Sequence, residues 1–333
     1  MAAFQRSLAL LLLALSTVAP GFAAGAATPS ARVALAQGEL RAGLRASGAG
    51  SELELRLARP DGSIVALPAP GTRTGALLDE PTPVVAAGEL AGLAWLEGAT
   101  RESYGVRFAP WTGAGWGAAE EVAAPGPGSQ LALAPARLAD GRLLLVWAAY
   151  DGGDDEIRFA LRSAAGVWSA AARVAEDNAV PDITPAAAAT ADGALVAWSR
   201  YVEGEYRVTL ARFDGERFRA AKVVGRPGTL FPGFEAPGPD GELRLLYRNA
   251  RPTGWTLAEL DRSGAIRRQW FVEAREATRP TAVSVKNGRV ELRFDAPPRR
   301  IVSLLPSLTE TVCALDACCL LYTSDAADEE DSV

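Results

Sequence analysis

The sequence contains one segment whose side chains are of the right type to hold a metal ion. Between Tyr150 and Glu156, two glycines are flanked by carboxylates on Asp151, Asp154, Asp155 and Glu156 itself. Hard cations such as Ca²⁺ prefer oxygen ligands of this kind, so these four residues are candidate ligands, although their spacing is not that of an EF-hand loop. Acidic, glycine-rich hairpin tips are commonly solvated turns, and both interpretations stay open. No residue pattern implies an organic cofactor.

Tryptophans are the second group with chemical potential, because their rings can stack on a sugar or another planar ligand. Trp111, Trp116 and Trp168 lie near turn-forming residues and are expected to be partly exposed, which makes them candidates for a ligand-binding face. Three other tryptophans recur at one position of an internal repeat: Trp95, Trp147 and Trp198. That recurrence predicts packing inside the fold rather than ligand stacking.

The repeat extends over most of the chain. The aromatic residues Trp95, Trp147, Trp198 and Tyr247 lie about 50 residues apart, and a turn of the Asp-Gly or Gly-Glu type precedes each of them. A weaker first copy begins at Gly38. A period of this length is typical of the four-stranded blades of WD40 and kelch propellers.

Each copy separates into four short strand-like runs. The second run is continuously apolar, as in residues 143–147, which is typical of a strand buried on both faces. Turns interrupt the chain too often for helices. We therefore predict an all-β chain that forms a β-propeller of four-stranded blades over residues 24–278. The number of blades is about five, or six if the hairpin that follows belongs to the array.

The turns between the third and fourth runs carry a family resemblance. Residues 163–168 (Ser-Ala-Ala-Gly-Val-Trp) and 213–218 (Phe-Asp-Gly-Glu-Arg-Phe) resemble eroded versions of the Asp-box, Ser-x-Asp-x-Gly-x-x-Trp, of sialidase-like propellers. No copy matches that pattern in full. Over residues 31–278 the resemblance implies a shared architecture, and it does not by itself imply an activity.

Catalytic residues are hard to find. Histidine is absent, which excludes Ser-His-Asp and Cys-His catalysis. A sialidase needs a tyrosine nucleophile paired with a glutamate; Tyr201, Glu203, Glu205 and Tyr206 supply these residue types, but spacing alone assigns no pair. The family's early Arg-Ile-Pro motif is also missing from the first repeat. We therefore predict that the protein is not an enzyme.

The first residues predict export. A basic residue, Arg6, precedes an apolar run from Leu8 to Val18, and the small residues Gly21, Ala23 and Ala24 follow. This is the pattern of a secretory signal peptide, so residues 1–23 are expected to be removed and the mature protein to be secreted or periplasmic. The apolar run is shorter than a membrane span requires, and no span is expected after cleavage. The formal charge of −6, without a clustered basic face, argues against nucleic acid as a partner.

The chain changes character after residue 278. The stretch from Arg300 to Glu310, Arg-Ile-Val-Ser-Leu-Leu-Pro-Ser-Leu-Thr-Glu, resembles the start of periplasmic substrate-binding proteins for cobalamin and ferric siderophores. Ser307 and Glu310 also have the spacing of a capping box that opens a helix. The resemblance implies a two-lobed ligand clamp with Pro306 and Ser307 at its cleft, and an ABC importer as partner. We assign residues 279–317 to the truncated start of such a domain, with the hairpin around Asn287 as its lead-in.

The last residues continue neither pattern. Residues 318–333, from Cys318 onwards, resemble translated sequencing-adapter text, so we predict that they are non-native and disordered.

Taken together, these features predict a non-enzymatic exported binding protein. Its propeller would bind a glycan or a protein, and its tail would begin a capture module for cobalamin or a ferric siderophore. The alternatives are a sialidase-like glycoside hydrolase and a structural or scaffolding propeller with a chimeric tail.

Overall fold

The computed structural model describes residues 31–48, 50–100, 102–126, 128, 130–238, 241–275, 279–286 and 288–294, and the backbone of 301–302 and 321–322. Every regular element within these residues is a β-strand, as the sequence predicts. None of the described residues forms a helix long and apolar enough to cross a membrane. The chain divides into two compact units, Met1–Arg275 and Glu276–Val333.

The first unit contains five antiparallel sheets of four strands, each with its strands in chain order. The first sheet is β1 (Ala31–Leu35), β2 (Gly38–Ser47), β3 (Gly50–Ala58) and β4 (Ile64–Leu67). The second is β5 (Leu77–Ala86), β6 (Glu89–Gly98), β7 (Tyr104–Pro110) and β8 (Glu120–Ala123). The third is β9 (Gln130–Arg137), β10 (Leu143–Tyr150), β11 (Asp155–Arg162) and β12 (Ala172–Arg173).

The fourth sheet is β13 (Asp182–Thr190), β14 (Gly193–Val202), β15 (Glu205–Phe213) and β16 (Lys222–Val223). The fifth is β17 (Thr229–Glu235), β18 (Leu243–Asn249), β19 (Gly254–Leu260) and β20 (Ile266–Glu273). Repeated four-stranded meanders of this kind are the blades of a β-propeller, and the predicted fold class is confirmed.

The second unit contributes two short pairs of strands. A hairpin joins β21 (Ala282–Lys286) to β22 (Arg289–Arg293), and β23 (Ile301–Val302) pairs in parallel with β24 (Leu321–Tyr322). The strand β24 falls within the segment that we expected to be disordered. The predicted signal peptide, residues 1–23, lies outside the described residues.

The repeated aromatic residues form the centre of the hydrophobic core, as predicted. Trp95, Trp147 and Trp198 are 0% exposed and Tyr247 is 1% exposed. Each one packs on the preceding sheet: Trp95 meets the first sheet at Leu40 and Leu55, and the later three follow the same rule. One apolar layer therefore lies between each pair of consecutive sheets, and the second strands of the middle sheets are buried on both faces.

The first strands of the second to fifth sheets share a strained bulge. Glu80, Ala132, Thr184 and Phe231 all have a positive φ, between 45° and 56°, which non-glycine residues rarely adopt. The strand pairing shifts register beside each of them. Hydrogen bonds from the bulges reach the neighbouring sheet: the Glu80 carboxylate accepts one from Leu133 N at 3.0 Å, and Ser199 Oγ accepts one from Phe231 N at 3.0 Å.

Candidate functional site

Antiparallel pairing places the start of each first strand beside the end of each second strand. In the third sheet Gln130 lies opposite Ala149, and in the fourth sheet Asp182 lies opposite Arg200. The acidic loop, residues 151–156, joins the second and third strands of the third sheet, so it lies at this same end of the sheets. The stacking of the third and fourth sheets therefore brings Asp182 to the acidic loop.

We call the resulting group the acidic cluster. It consists of six carboxylates and three residues that bind them: Asp151, Asp154, Asp155, Glu156, Asp177 and Asp182, with Arg173, Asn178 and Arg200. The sequence predicted four of the carboxylates. It missed the other five residues, which come from the last strand of the third sheet, from the connection between the sheets and from the fourth sheet.

Glu156 is the most strongly buried member on the third sheet, with 1% of its surface exposed. Its Oε1 accepts hydrogen bonds from the backbone N and the Nδ2 of Asn178, both at 3.2 Å. Burial raises the pKa of Glu156 to about 7, and the nearby carboxylates of Asp182 and Asp154 add to this effect. The group therefore titrates near neutral pH.

Asp182 is also 1% exposed, but an arginine neutralises it. Arg200 donates from Nε to Oδ1 at 2.8 Å and from Nη2 to Oδ2 at 2.5 Å, a bidentate ion pair. Burial still raises the pKa of Asp182, against the opposing effect of Arg200. The guanidinium also lies over the ring of Trp198, 5.4 Å from its centroid, which ties the ion pair to the core.

The loop itself is held by Asp151. One of its oxygens accepts from Gly153 N at 3.0 Å, and the other binds Arg173 at 2.7 Å. These two contacts lower the pKa of Asp151. Arg173 also binds Asp177 at 3.1 Å, so both of its charged contacts are made within the cluster.

Asp154 differs from its neighbours. Its side chain is 9% exposed, and its Oδ2 is buried without a hydrogen-bond partner. Burial raises the pKa of Asp154 to about 6, with Asp151 as the next contributor. Asp155 has a pKa raised to about 6 by burial and by Asp151, and its charge acts on Tyr206, whose pKa burial raises to about 12.

The metal-site prediction for the loop finds no support in this geometry. Across the described residues, no three acidic side chains lie close enough to share a metal ion. The reason is that the four carboxylates have different surroundings: Asp151 binds Arg173, Glu156 binds Asn178, and Asp155 lies near Tyr206. Hydrogen bonding within the loop separates ligands that the sequence places side by side.

The three tryptophans that are candidates for a ligand-binding face connect neighbouring sheets. Trp111 and Trp116 contact each other edge to face at 5.0 Å, and Trp116 Nε1 donates to Pro68 O of the preceding segment at 2.7 Å. Trp168 contacts Phe108 edge to face at 5.6 Å, and its Nε1 donates to Glu120 at 2.7 Å. All three are half-buried, and none belongs to the acidic cluster.

The remaining candidates do not assemble with the cluster into a catalytic pair. Tyr201 and Tyr206 contact each other at 5.2 Å. Glu203 binds Arg207 at 2.7 Å and Glu205 binds Arg251 at 3.2 Å. Pro306 and Ser307, the predicted residues of the importer module, lie outside the described residues.

A cleft of about 370 Å³ lies beside the acidic loop, between the second and third sheets. Its lining includes Gln130, Trp147, Tyr150, Asp151 and Arg158. Trp147 Nε1 donates to Gln130 Oε1 at its wall, and Tyr150 is 39% exposed. The volume is within the range of small-molecule sites, and Asp151 belongs both to the lining of this cleft and to the acidic cluster.

Comparison with known proteins supports the fold and leaves the activity open. No protein-family model matches the chain, and no curated protein sequence matches it. A protein of unknown function from Dyadobacter fermentans matches with a TM-score of 0.54 at 15% identity, over 75% of this chain and 83% of that one.

Two sugar-processing enzymes are more distant. An α-L-arabinofuranosidase from Lactobacillus brevis has a TM-score of 0.44 at 13% identity, over 68% of this chain and 89% of the other. A GH43 endo-arabinanase from Bacillus licheniformis has a TM-score of 0.39 at 11% identity, over 71% and 95%. These matches give no support for an Asp-box sialidase or an importer module. At such identities the likeness extends to the fold alone.

Proposed function

We propose that this protein is an exported, non-enzymatic binding protein whose propeller recognises its ligand at the acidic cluster. The observation that carries the proposal is the concentration of buried carboxylates at one end of two adjacent sheets. Glu156 and Asp182 are 1% exposed and Asp154 is 9% exposed, and burial raises the pKa of each. Clusters of ionisable groups with shifted pKa values are typical of functional sites.

Binding is favoured over catalysis because the carboxylates are held by other protein groups. A glycosidase needs two carboxyl groups free to act on either side of the scissile bond. Asp182 is bound by Arg200 through two hydrogen bonds, and one oxygen of Glu156 is bound by Asn178. Groups held in this way are suited to shaping a charged pocket.

Export and a link to an importer complete the proposal. The signal-like residues 1–23 and the resemblance from Arg300 to Glu310 support them, and both lie outside the side chains that the structure describes. In the intact protein the second module would capture cobalamin or a ferric siderophore and deliver it to an ABC importer.

A glycoside hydrolase is the second candidate, and one observation favours it. Burial raises the pKa of Glu156 to about 7 and that of Asp154 to about 6. A carboxylic acid that retains its proton near neutral pH can act as a general acid.

Aryl glycoside substrates separate these two functions. The full chain should release no aryl group from a panel of aryl sialosides, arabinosides and xylosides above the rate of its Glu156→Gln variant. Hydrolysis that the wild type performs and Glu156→Gln loses would contradict the binding proposal and favour the enzyme.

Two further experiments test export and the link to an importer. Residues 1–23 fused to an alkaline phosphatase that is active only outside the cytoplasm should give activity. The uninterrupted gene should continue beyond Leu315 as a two-lobed binding protein; a stop codon there would remove the importer from the proposal.

A further inference from the structure

The acidic cluster contains one charged oxygen that the protein leaves without a partner. Asp154 is nine-tenths buried, with 9% of its surface exposed, and its Oδ2 makes no hydrogen bond. Leaving a buried carboxylate oxygen unpaired is unfavourable, and buried polar groups are paired in the great majority of cases. The position therefore calls for a donor that the chain does not supply.

The charges around Asp154 determine what kind of donor fits. The negative charges that act on its carboxylate are those of Asp151, Asp182, Asp177 and Asp155, in decreasing order. All of these would repel an anion. The potential at Asp154 Oδ2 therefore favours a cation.

The two cations of the cluster are already engaged with other carboxylates. Arg173 binds Asp151 at 2.7 Å and Asp177 at 3.1 Å. Arg200 binds Asp182 at 2.5 Å and 2.8 Å. Six carboxylates thus face two guanidinium groups, and the cluster keeps a negative charge that a ligand can neutralise.

The loop is exposed on the N-terminal side of Asp154. Gly152 and Gly153 precede Asp154 and are exposed. Nothing lies within 4 Å of the position that a Cβ on Gly152 would occupy, so space is open on that side of the loop.

We infer that the acidic cluster binds a primary alkylammonium group, with Asp154 Oδ2 as its principal acceptor. The inference rests on the proposed binding function and names the chemical class of the ligand. An ammonium carries three donors and a compact charge, which suits one unpaired oxygen among several carboxylates. A Ca²⁺ ion needs six to eight converging oxygens, and the described residues contain no three acidic side chains arranged to hold a metal.

The experiment is a calorimetric titration of the full chain with putrescine at pH 7.5, with CaCl₂ and mannitol as separate titrants. Putrescine should bind and mannitol should not. Asp154→Asn keeps the shape of the side chain and removes its charge, and should weaken putrescine binding by about tenfold or more. Asp140→Asn, at the opposite end of the same sheet, should bind like the wild type.

Each outcome bears on the inference. If the wild type binds CaCl₂ but not putrescine, the ammonium site is replaced by a metal site. If the wild type binds neither titrant, the inference is overturned. Equal binding by Asp154→Asn, with the circular dichroism of the wild type, would also overturn it. Failure here leaves the aryl glycoside assay unaffected, so the ligand class and the binding function are judged separately.

Discussion

The first and third sheets share a repeat but differ in their surroundings. In the first sheet β2 alternates buried and exposed residues, with Leu40 and Ala42 at 0% exposure and Arg41 and Arg45 exposed. In the third sheet every residue of β10 from Leu143 to Ala149 is buried. The first sheet therefore has one apolar face, against the second sheet, and one charged face. The third sheet has apolar layers on both sides.

The turn that starts the second strand is nevertheless the same in the first and fourth sheets. Gly38 and Gly193 begin β2 and β14 with φ values of 144° and 156°. A Cβ at either position would lie 2.1 Å or 2.0 Å from the carbonyl oxygen of Ala58 or Phe213, so both need glycine. The repeat thus preserves backbone geometry, while the side chains decide whether a blade is packed on one face or on two.

The largest effect expected from this difference is on the repeated tryptophans. Trp147→Ala and Trp198→Ala should each lower the free energy of unfolding by about 3–5 kcal/mol, because each empties a fully buried site between two sheets. Arg45→Ala on the charged face should change it by less than about 0.5 kcal/mol. Urea unfolding measures all three.

Trp168→Ala should lower the free energy of unfolding by an amount between these values, since its ring is only half-buried and donates to Glu120. Near-zero costs at Trp147 and Trp198 would mean that the middle sheets are not packed on both faces.

Breaking a buried ion pair should also cost more stability than breaking an exposed pair on the charged face of the first sheet. Arg200→Met leaves the buried carboxylate of Asp182 without its partner and should cost about 3 kcal/mol. Arg45→Met removes an exposed pair with Glu52 and should cost less than about 0.5 kcal/mol. Thermal unfolding at pH 7 tests both, and adding Asp182→Asn to Arg200→Met should recover part of the loss. Equal costs for Arg200→Met and Arg45→Met would remove the distinction.

The acidic cluster should also affect the pH dependence of stability. Glu156 has a folded pKa of about 7 against an ordinary value of 4.5, so its folded form binds the proton more tightly. The tighter binding of this proton stabilises the folded state in full below pH 4.5. That stabilisation, about 1–3 kcal/mol, is lost as the pH rises to 7. The unfolding midpoint should therefore be higher at pH 5.5 than at pH 8.

The matched variants for this measurement are Glu156→Gln and Glu121→Gln. Glu156→Gln should reduce the difference between the two pH values, because the amide does not titrate. Glu121→Gln, at an exposed position, should leave the difference between the two pH values unchanged. A wild type more stable at pH 8 than at pH 5.5 would contradict the raised pKa.

The smallest effect is expected on the charged face of the first sheet. Arg41 and Arg56 lie directly opposite each other, and each binds a glutamate of its own strand, Glu39 or Glu54, at 2.7 Å. The exposed pairs and the like-charge repulsion oppose each other. Arg56→Thr should therefore change the free energy of unfolding by no more than about 0.5 kcal/mol, in low salt and in 0.5 M NaCl alike. A loss above 1 kcal/mol would indicate that this face is packed against another surface.

Much of the candidate site could not be predicted from the sequence. The loop from Asp151 to Glu156 could be found because its carboxylates are adjacent in the chain. Asp182 and Arg200 could not, because they reach the loop only when the fourth sheet stacks on the third. The four carboxylates of the loop do not converge on one point for a related reason: adjacency in the chain does not determine which way hydrogen bonds will turn each carboxylate.

The sequence by itself determined the strands, the turns and the repeating aromatic core, because these depend on local periodicity and on glycine at positions such as Gly38 and Gly193. It also indicated that the first repeat differs from the rest, since that copy matches the repeat pattern more weakly. Only the tertiary structure decided that Trp111, Trp116 and Trp168 connect sheets and that Glu156 titrates near neutrality. Burial and the distances between charges arise from the stacking of separate repeats, and no local pattern encodes them.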